Sequence, residues 1–93
     1  MKKQIQNSFV KYSIEEGEVV IDYLFVDKRQ RGNNLGYKLL DFVKSFAKRK
    51  EMNMALFAES DDDNFSNDEL VEYYEDYGFE SDADADQLMT YFL

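Results

Sequence analysis

Apolar residues recur along this chain at two different periods. Phe9, Val10, Tyr12 and Ile14 form a short β-prone run, broken by Glu15-Glu16-Gly17. A second run over residues 18–27 holds Val19, Val20, Ile21, Tyr23, Leu24, Phe25 and Val26. β-Branched and aromatic residues fit a pleated surface, so the pair predicts a hairpin with Gly17 in its turn. The second strand is apolar on both faces, which predicts a central position covered on both sides. One residue breaks its apolarity, Asp22.

Beyond residue 35 the period changes. Leu39, Leu40, Val43, Phe46 and Ala47 recur at helical spacing, and Lys48, Arg49 and Lys50 follow where cations suit the negative end of a helix dipole. The pattern predicts a helix from about Leu35 to about Lys50. Residues 52–58 read as a third strand, followed by a polar loop over 59–65. Ser66-Asn67-Asp68-Glu69 has the form of a capping box and predicts the start of a second helix. That helix carries Leu70, Val71, Tyr73, Tyr74 and Tyr77 and is predicted to end at Gly78. An acidic loop over 81–86 and a closing strand over 88–93 complete the order β-β-α-β-α-β. This is an α/β arrangement on a mixed sheet, in one domain spanning residues 1–93, with neither repeat nor linker.

Composition narrows the chemistry. The 93 residues include no cysteine and no histidine, so no thiol nucleophile, thiolate metal site or imidazole base is available. Catalysis would have to run on carboxylates, tyrosine, serine, lysine or the backbone. No segment approaches the roughly 20 apolar residues that span a membrane, and no secretory signal opens the chain. A cytoplasmic protein is expected. Charge is segregated: residues 1–50 hold all eleven bases and six acids, a net +5, whereas residues 51–93 hold fourteen acids and no base. Such segregation suits an anion at one end and a basic partner protein at the other. No direct binding of nucleic acid is expected. The Asp-rich loops lack the glycine and ligand spacing of a calcium loop, so no metal is expected.

The stretch Arg29-Gln30-Arg31-Gly32-Asn33-Asn34-Leu35-Gly36 leads from the second strand directly into the first helix. At a helix start the amides are unsatisfied and the dipole is positive, and a glycine lets an anion approach the backbone. Neither a Walker loop nor a dinucleotide fingerprint is present. On its own the stretch is compatible with a plain turn.

Two motifs together resemble the GNAT family of acyl-CoA-dependent N-acetyltransferases. The first is a strand ending at Val26, then Arg31 to Gly36 opening a helix. The second is Asn67-x-x-Leu70-x-x-Tyr73-Tyr74-x-x-x-Gly78-Phe79. The resemblance covers residues 8–93 and implies a truncated GNAT-like fold, a mixed sheet flanked by two helices. It lacks the first strand and two helices that usually help to wall the acceptor site. It also implies acetyl-CoA as co-substrate. The amides of Asn33, Asn34, Leu35, Gly36 and Tyr37, with Gly32 in the turn, would hold the pyrophosphate, and Arg29, Arg31 and Lys38 would neutralise phosphate charge. The backbone of Leu24, Phe25 and Val26 would pair with pantetheine, and Asn67 would bind the same arm. Tyr74 would be the general acid. Asp22 is the first choice for the base and Glu59 the second, and either could instead be structural. Asn34 stands where the family has its first motif glycine. Asparagine is the other residue that best tolerates left-handed backbone.

In the stretch over residues 12–27, the Asp-rich loop and the Tyr-rich second helix, the chain resembles compact phage anti-CRISPR acetyltransferases. That likeness implies a lysine acceptor on a basic protein, a type V CRISPR effector nuclease, and leaves room for a homodimer. The alternative is a non-catalytic acidic binder that mimics nucleic acid or masks a basic partner on a degenerate scaffold of the same family.

Overall fold

A computed structural model describes residues 1–27, 34–58, 66–82 and 87–93. Its elements are β1 (Lys2–Ile5), β2 (Ser8–Glu15), β3 (Glu18–Phe25), α1 (Leu35–Lys50), β4 (Met54–Phe57), α2 (Asn67–Tyr77), β5 (Glu80–Ser81) and β6 (Leu88–Tyr91). The expected framework is present, with both helices where the periodicity places them. Two short strands, β1 and β5, are added at the edges. Neither carries an apolar signal of its own. β1 is ordered by its antiparallel ladder with β2, from Lys2↔Lys11 to Ile5↔Ser8.

The sheet order is β1-β2-β3-β4-β6-β5. β3 and β4 are parallel, joined through α1. β4 and β5 each run antiparallel to β6 and so run parallel to each other, joined through α2. Both crossovers step in the same direction along the sheet. Parallel crossovers are right-handed, so both helices fall on one face. The contacts agree: the Tyr37 hydroxyl of α1 donates to the Tyr73 carbonyl of α2 at 3.2 Å. Lys44 of α1 lies over the rings of both Tyr77 and Tyr91.

Beneath the helices lies the core, with Val10, Val19, Leu39, Leu40, Val43, Ala47, Met54 and Met89 fully buried. The opposite face is not covered as expected. Tyr23, Phe25 and Phe57 are exposed on it, and among the described residues no helix packs there. β3 is central in the sheet, but its second apolar face is an open one.

The helix ends are built locally. The Ser66 hydroxyl accepts from the Glu69 amide at 3.1 Å, the capping box read from the sequence. α2 ends at Gly78, whose φ of 128° is strained for any residue with a Cβ. A Cβ there would also come within 2.8 Å of the Tyr91 ring. α1 finishes with Lys48, Arg49 and Lys50 in its last turn.

Candidate active site

The site begins with an irregularity in β3. Its pairing with β2 runs Phe9↔Phe25, Val10↔Leu24 and Lys11↔Tyr23, then shifts to Tyr12↔Ile21. Asp22 has no opposite number and is the extra residue of a β-bulge. A bulge re-aims the side chains that follow it. Val19 and Ile21 face the core before it, and Leu24 packs against the core after it. Tyr23 and Phe25 are turned outward, where both stack on Phe9, with ring centroids 5.8 and 5.5 Å apart. Asp22 itself is exposed.

On the other side of β3 the parallel pairing with β4 stops at Ile21↔Leu56. β3 continues for four more residues and β4 for one, so the two strands part just past the bulge. The β4-side edge of residues 22–25 is left outside the ladder. Such an edge is suited to an extended ligand that hydrogen-bonds as a strand would.

The end of β3 runs up to the start of α1. Asn34 is the N-cap of α1 and adopts φ 56°, ψ 25°. This is the left-handed geometry for which its tolerance was noted. The first bond of the helix runs from the Lys38 amide to the Asn34 carbonyl at 3.0 Å. The amides of Leu35, Gly36 and Tyr37 therefore precede the ladder, at the positive end of the dipole. Gly36 is buried. A Cβ there would collide with the Tyr73 hydroxyl oxygen and meet a Val26 methyl at 3.4 Å. The glycine thus lets three elements converge: the end of β3, the first turn of α1 and the middle of α2.

Tyr74 lies in the core, its ring edge-on to Tyr73 and Phe79. Burial raises its pKa, and the neighbouring Tyr73 adds to the effect, so the phenol holds its proton throughout the neutral range. Burial pushes Tyr73 up to about 12, with a smaller contribution from Tyr37. Tyr77 is raised by burial and by donating to Asp41 Oδ1 at 2.6 Å.

Asn67 occupies the first position of α2, directly after the Ser66 cap. Lys38 is exposed on the first turn of α1, and Tyr37 is half-buried beside it. The structure thus gathers Val26, Gly36 and Tyr37, with Asn34 and Leu35 alongside, at the junction of β3 and α1. Arg29, Arg31, Gly32, Asn33 and Glu59 lie outside the described residues. Among the described residues, no group of three or more acidic side chains could hold a metal ion.

Two residues of this junction escape a reading of the sequence. Ser8 is fully buried, and its hydroxyl accepts from the Asp27 amide at 2.9 Å, tying the chain just after β3 back to β2. The available signal is a serine in register with the inward Val10 and Tyr12. The other is Tyr73, whose hydroxyl fills the space above Gly36.

The sequence profile of the acetyltransferase (GNAT) domain family matches residues 5–90. This chain belongs to the GNAT acetyltransferase family. No curated protein matches it significantly. Among solved structures it is similar to the anti-CRISPR protein AcrVA5, at 36% identity over 98% of this chain and 96% of that one, with a TM-score of 0.85. It is also similar to Ard1 from Thermoplasma volcanium, at 26% identity and a TM-score of 0.65. That match covers 89% of this chain and 59% of Ard1.

Proposed function

We propose that this chain is an acetyl-CoA-dependent N-acetyltransferase that modifies a lysine of a type V CRISPR effector nuclease. The observation that carries the reading is the junction of the parted strand β3 with the glycine-bearing first turn of α1. The likeness to an anti-CRISPR protein over nearly the whole of both chains supports the choice of acceptor. On this reading the protein acts in the cytoplasm.

Acetyl-CoA, when bound, supplies the acetyl thioester and a thiolate leaving group. The amides of Leu35, Gly36 and Tyr37, with Lys38 nearby, would hold its pyrophosphate. The backbone of Leu24 to Val26 would align the pantetheine arm, with Asn67 as a side-chain partner. An amide of the same stretch would donate to the thioester carbonyl as negative charge develops on its oxygen.

A lysine ammonium, with an ordinary pKa of about 10.4, must shed a proton before its nitrogen can attack. Asp22, exposed in the bulge, is assigned to accept that proton, directly or through water. Tyr74 is assigned to the departing sulfur. Its raised pKa lies above that of a thiol, about 8.5, so full proton transfer to the thiolate is uphill. Hydrogen-bond donation is the contribution such a phenol can make.

Calorimetry should detect acetyl-CoA binding, and silence at high micromolar cofactor would sink the enzyme reading. Mass spectrometry of the nuclease after incubation with the protein and acetyl-CoA should show an acetylated lysine. Tyr74→Phe should slow that acetylation about 10²-fold, the lower range for general acid–base groups, with cofactor affinity retained. An unchanged rate would remove Tyr74 from the mechanism.

A further inference from the structure

We infer that Tyr37 is a positioning residue. Its hydroxyl fixes the peptide that precedes Tyr74, so the turn of α1 assigned to the pyrophosphate also sets the aim of the phenol assigned to the departing sulfur. This rests on the acetyltransferase reading above.

α2 is lightly held. Of its eleven residues only Tyr74 is buried, while Leu70, Val71, Tyr73 and Tyr77 pack against the core half-exposed. Apolar burial anchors such a helix chiefly at one side chain and leaves its rotation and height to polar contacts. Two phenols supply those contacts, and they run in opposite directions between the helices. Tyr37 of α1 donates to the Tyr73 carbonyl of α2 at 3.2 Å, in a partly buried position. Tyr77 of α2 donates to Asp41 Oδ1 of α1 at 2.6 Å, on the exposed surface. Tyr37 and Asp41 stand one turn apart on their helix, as do Tyr73 and Tyr77 on theirs. The Tyr37 ring lies between those of Tyr73 and Tyr77, with centroids 5.0 and 5.1 Å away.

The two bonds are not equivalent. The one from Tyr77 ends on a side chain. The one from Tyr37 ends on the carbonyl of the peptide that joins Tyr73 to Tyr74. A carbonyl has two lone pairs, so this one can accept from Tyr37 as well as from the helix ladder. Tyr74 is aimed by that peptide and by two edge-on rings, Tyr73 at 5.3 Å and Phe79 at 5.6 Å. Tyr37 holds the peptide with its hydroxyl and backs the Tyr73 ring with its own, so it bears on two of these three supports. Its backbone, meanwhile, belongs to the first turn of α1, whose amides precede the ladder that begins at Lys38. A cofactor settled on that turn is thereby held in register with Tyr74, because one residue reaches both ends. Tyr37 acts on the reaction through Tyr74, by alignment.

The test compares Tyr37→Phe with Tyr77→Phe. Each keeps its ring and deletes one hydrogen bond between the same two helices. Both are assayed for melting temperature, for acetyl-CoA binding by calorimetry and for kcat of nuclease acetylation, and Tyr37→Phe is repeated in a Tyr74→Phe background. Tyr37→Phe should lower kcat about tenfold, since about 1 Å of misplacement can cost a reaction about 10²-fold. Tyr77→Phe should keep the parental kcat, although it gives up a charge-assisted bond. In the Tyr74→Phe background the effect of Tyr37→Phe should vanish, because no phenol remains to align. Equal kcat values for the two single variants, or kcat losses that track melting temperature, would overturn the positioning role and leave the acetyltransferase reading intact. So would a tenfold loss that persists without the Tyr74 hydroxyl. Absence of cofactor binding by the parent would overturn both.

Discussion

On the helix face of the sheet, Val10, Val19, Met54 and Met89 are sealed beneath α1 and α2, while on the opposite face Tyr23, Phe25 and Phe57 meet solvent. Both faces are built from the same strands, and both carry large apolar side chains. They differ in what lies above them. Two same-handed crossovers bring both helices to one side, and the outer side is left with large side chains that no helix covers among the described residues. Apolar composition alone does not say which face is a core and which is a contact surface.

Stability measurements can break this comparison most directly. Leu40 is fully buried in the middle of α1, and Leu40→Ala should cost about 3 kcal/mol by urea unfolding, from lost transfer energy and the cavity left behind. Phe57→Ala removes a larger side chain yet should change stability by no more than about 0.5 kcal/mol, as surface substitutions do. A loss at Phe57 rivalling that at Leu40 would mean that the outer face is covered in solution.

The next largest effect lies at the junction of the helices. Gly36→Ala gains about 1 kcal/mol of helix propensity, but its new Cβ collides with the Tyr73 hydroxyl. Tyr73 is held by Tyr37 on one side and Tyr74 on the other, with centroids 5.0 and 5.3 Å away, so the ring has little room to yield. The clash should push α2 away from α1 and lower acetyl-CoA affinity about tenfold, or 1.4 kcal/mol. Tyr73→Phe deletes only the offending oxygen, and the next atom lies at 3.4 Å, an ordinary contact. The double variant should therefore recover most of the loss, with a coupling of about 1 kcal/mol. Purely additive effects would show that the hydroxyl does not set the spacing.

The contrast between the faces also explains what could be read from the residues and what could not. The helices were legible because their periodicity agrees with their caps: Ser66 and Gly78 bracket α2, and three cations close α1. The left-handed turn at Asn34 was legible because few residue types tolerate it. The open face was not. Strict alternation along β3 would send Val19, Ile21, Tyr23 and Phe25 to one side, but the bulge at Asp22 reverses the parity midway. A bulge depends on the partner strand's register, which a strand's own residues do not encode. β1 was invisible for a related reason: Lys2-Lys3-Gln4-Ile5 becomes a strand only because β2 offers it an edge. At the site, Tyr74 is assigned through its place in a motif. Tyr73 was missed because its importance comes from a contact with Gly36, 37 positions away in the chain.

The smallest effect is spectroscopic and concerns the helix face alone. Tyr37, Tyr73, Tyr74 and Tyr77 all have pKa values raised chiefly by burial, Tyr73 to about 12. In the unfolded chain the same phenols ionise near pH 10. Below pH 10 they are protonated in both states and favour neither. Between about pH 10 and 12 the unfolded chain releases protons that the folded chain retains, so stability must fall as pH rises through that window. Absorbance at 295 nm should show Tyr37, Tyr73, Tyr74 and Tyr77 ionising late, in step with loss of the folded far-ultraviolet signal. Phe57→Ser should leave the alkaline midpoint in place, whereas Leu40→Ala, by loosening α1 against the sheet, should bring it to lower pH. Titration of these four tyrosines near pH 10 with the fold intact would mean that the helix-face rings are open to water.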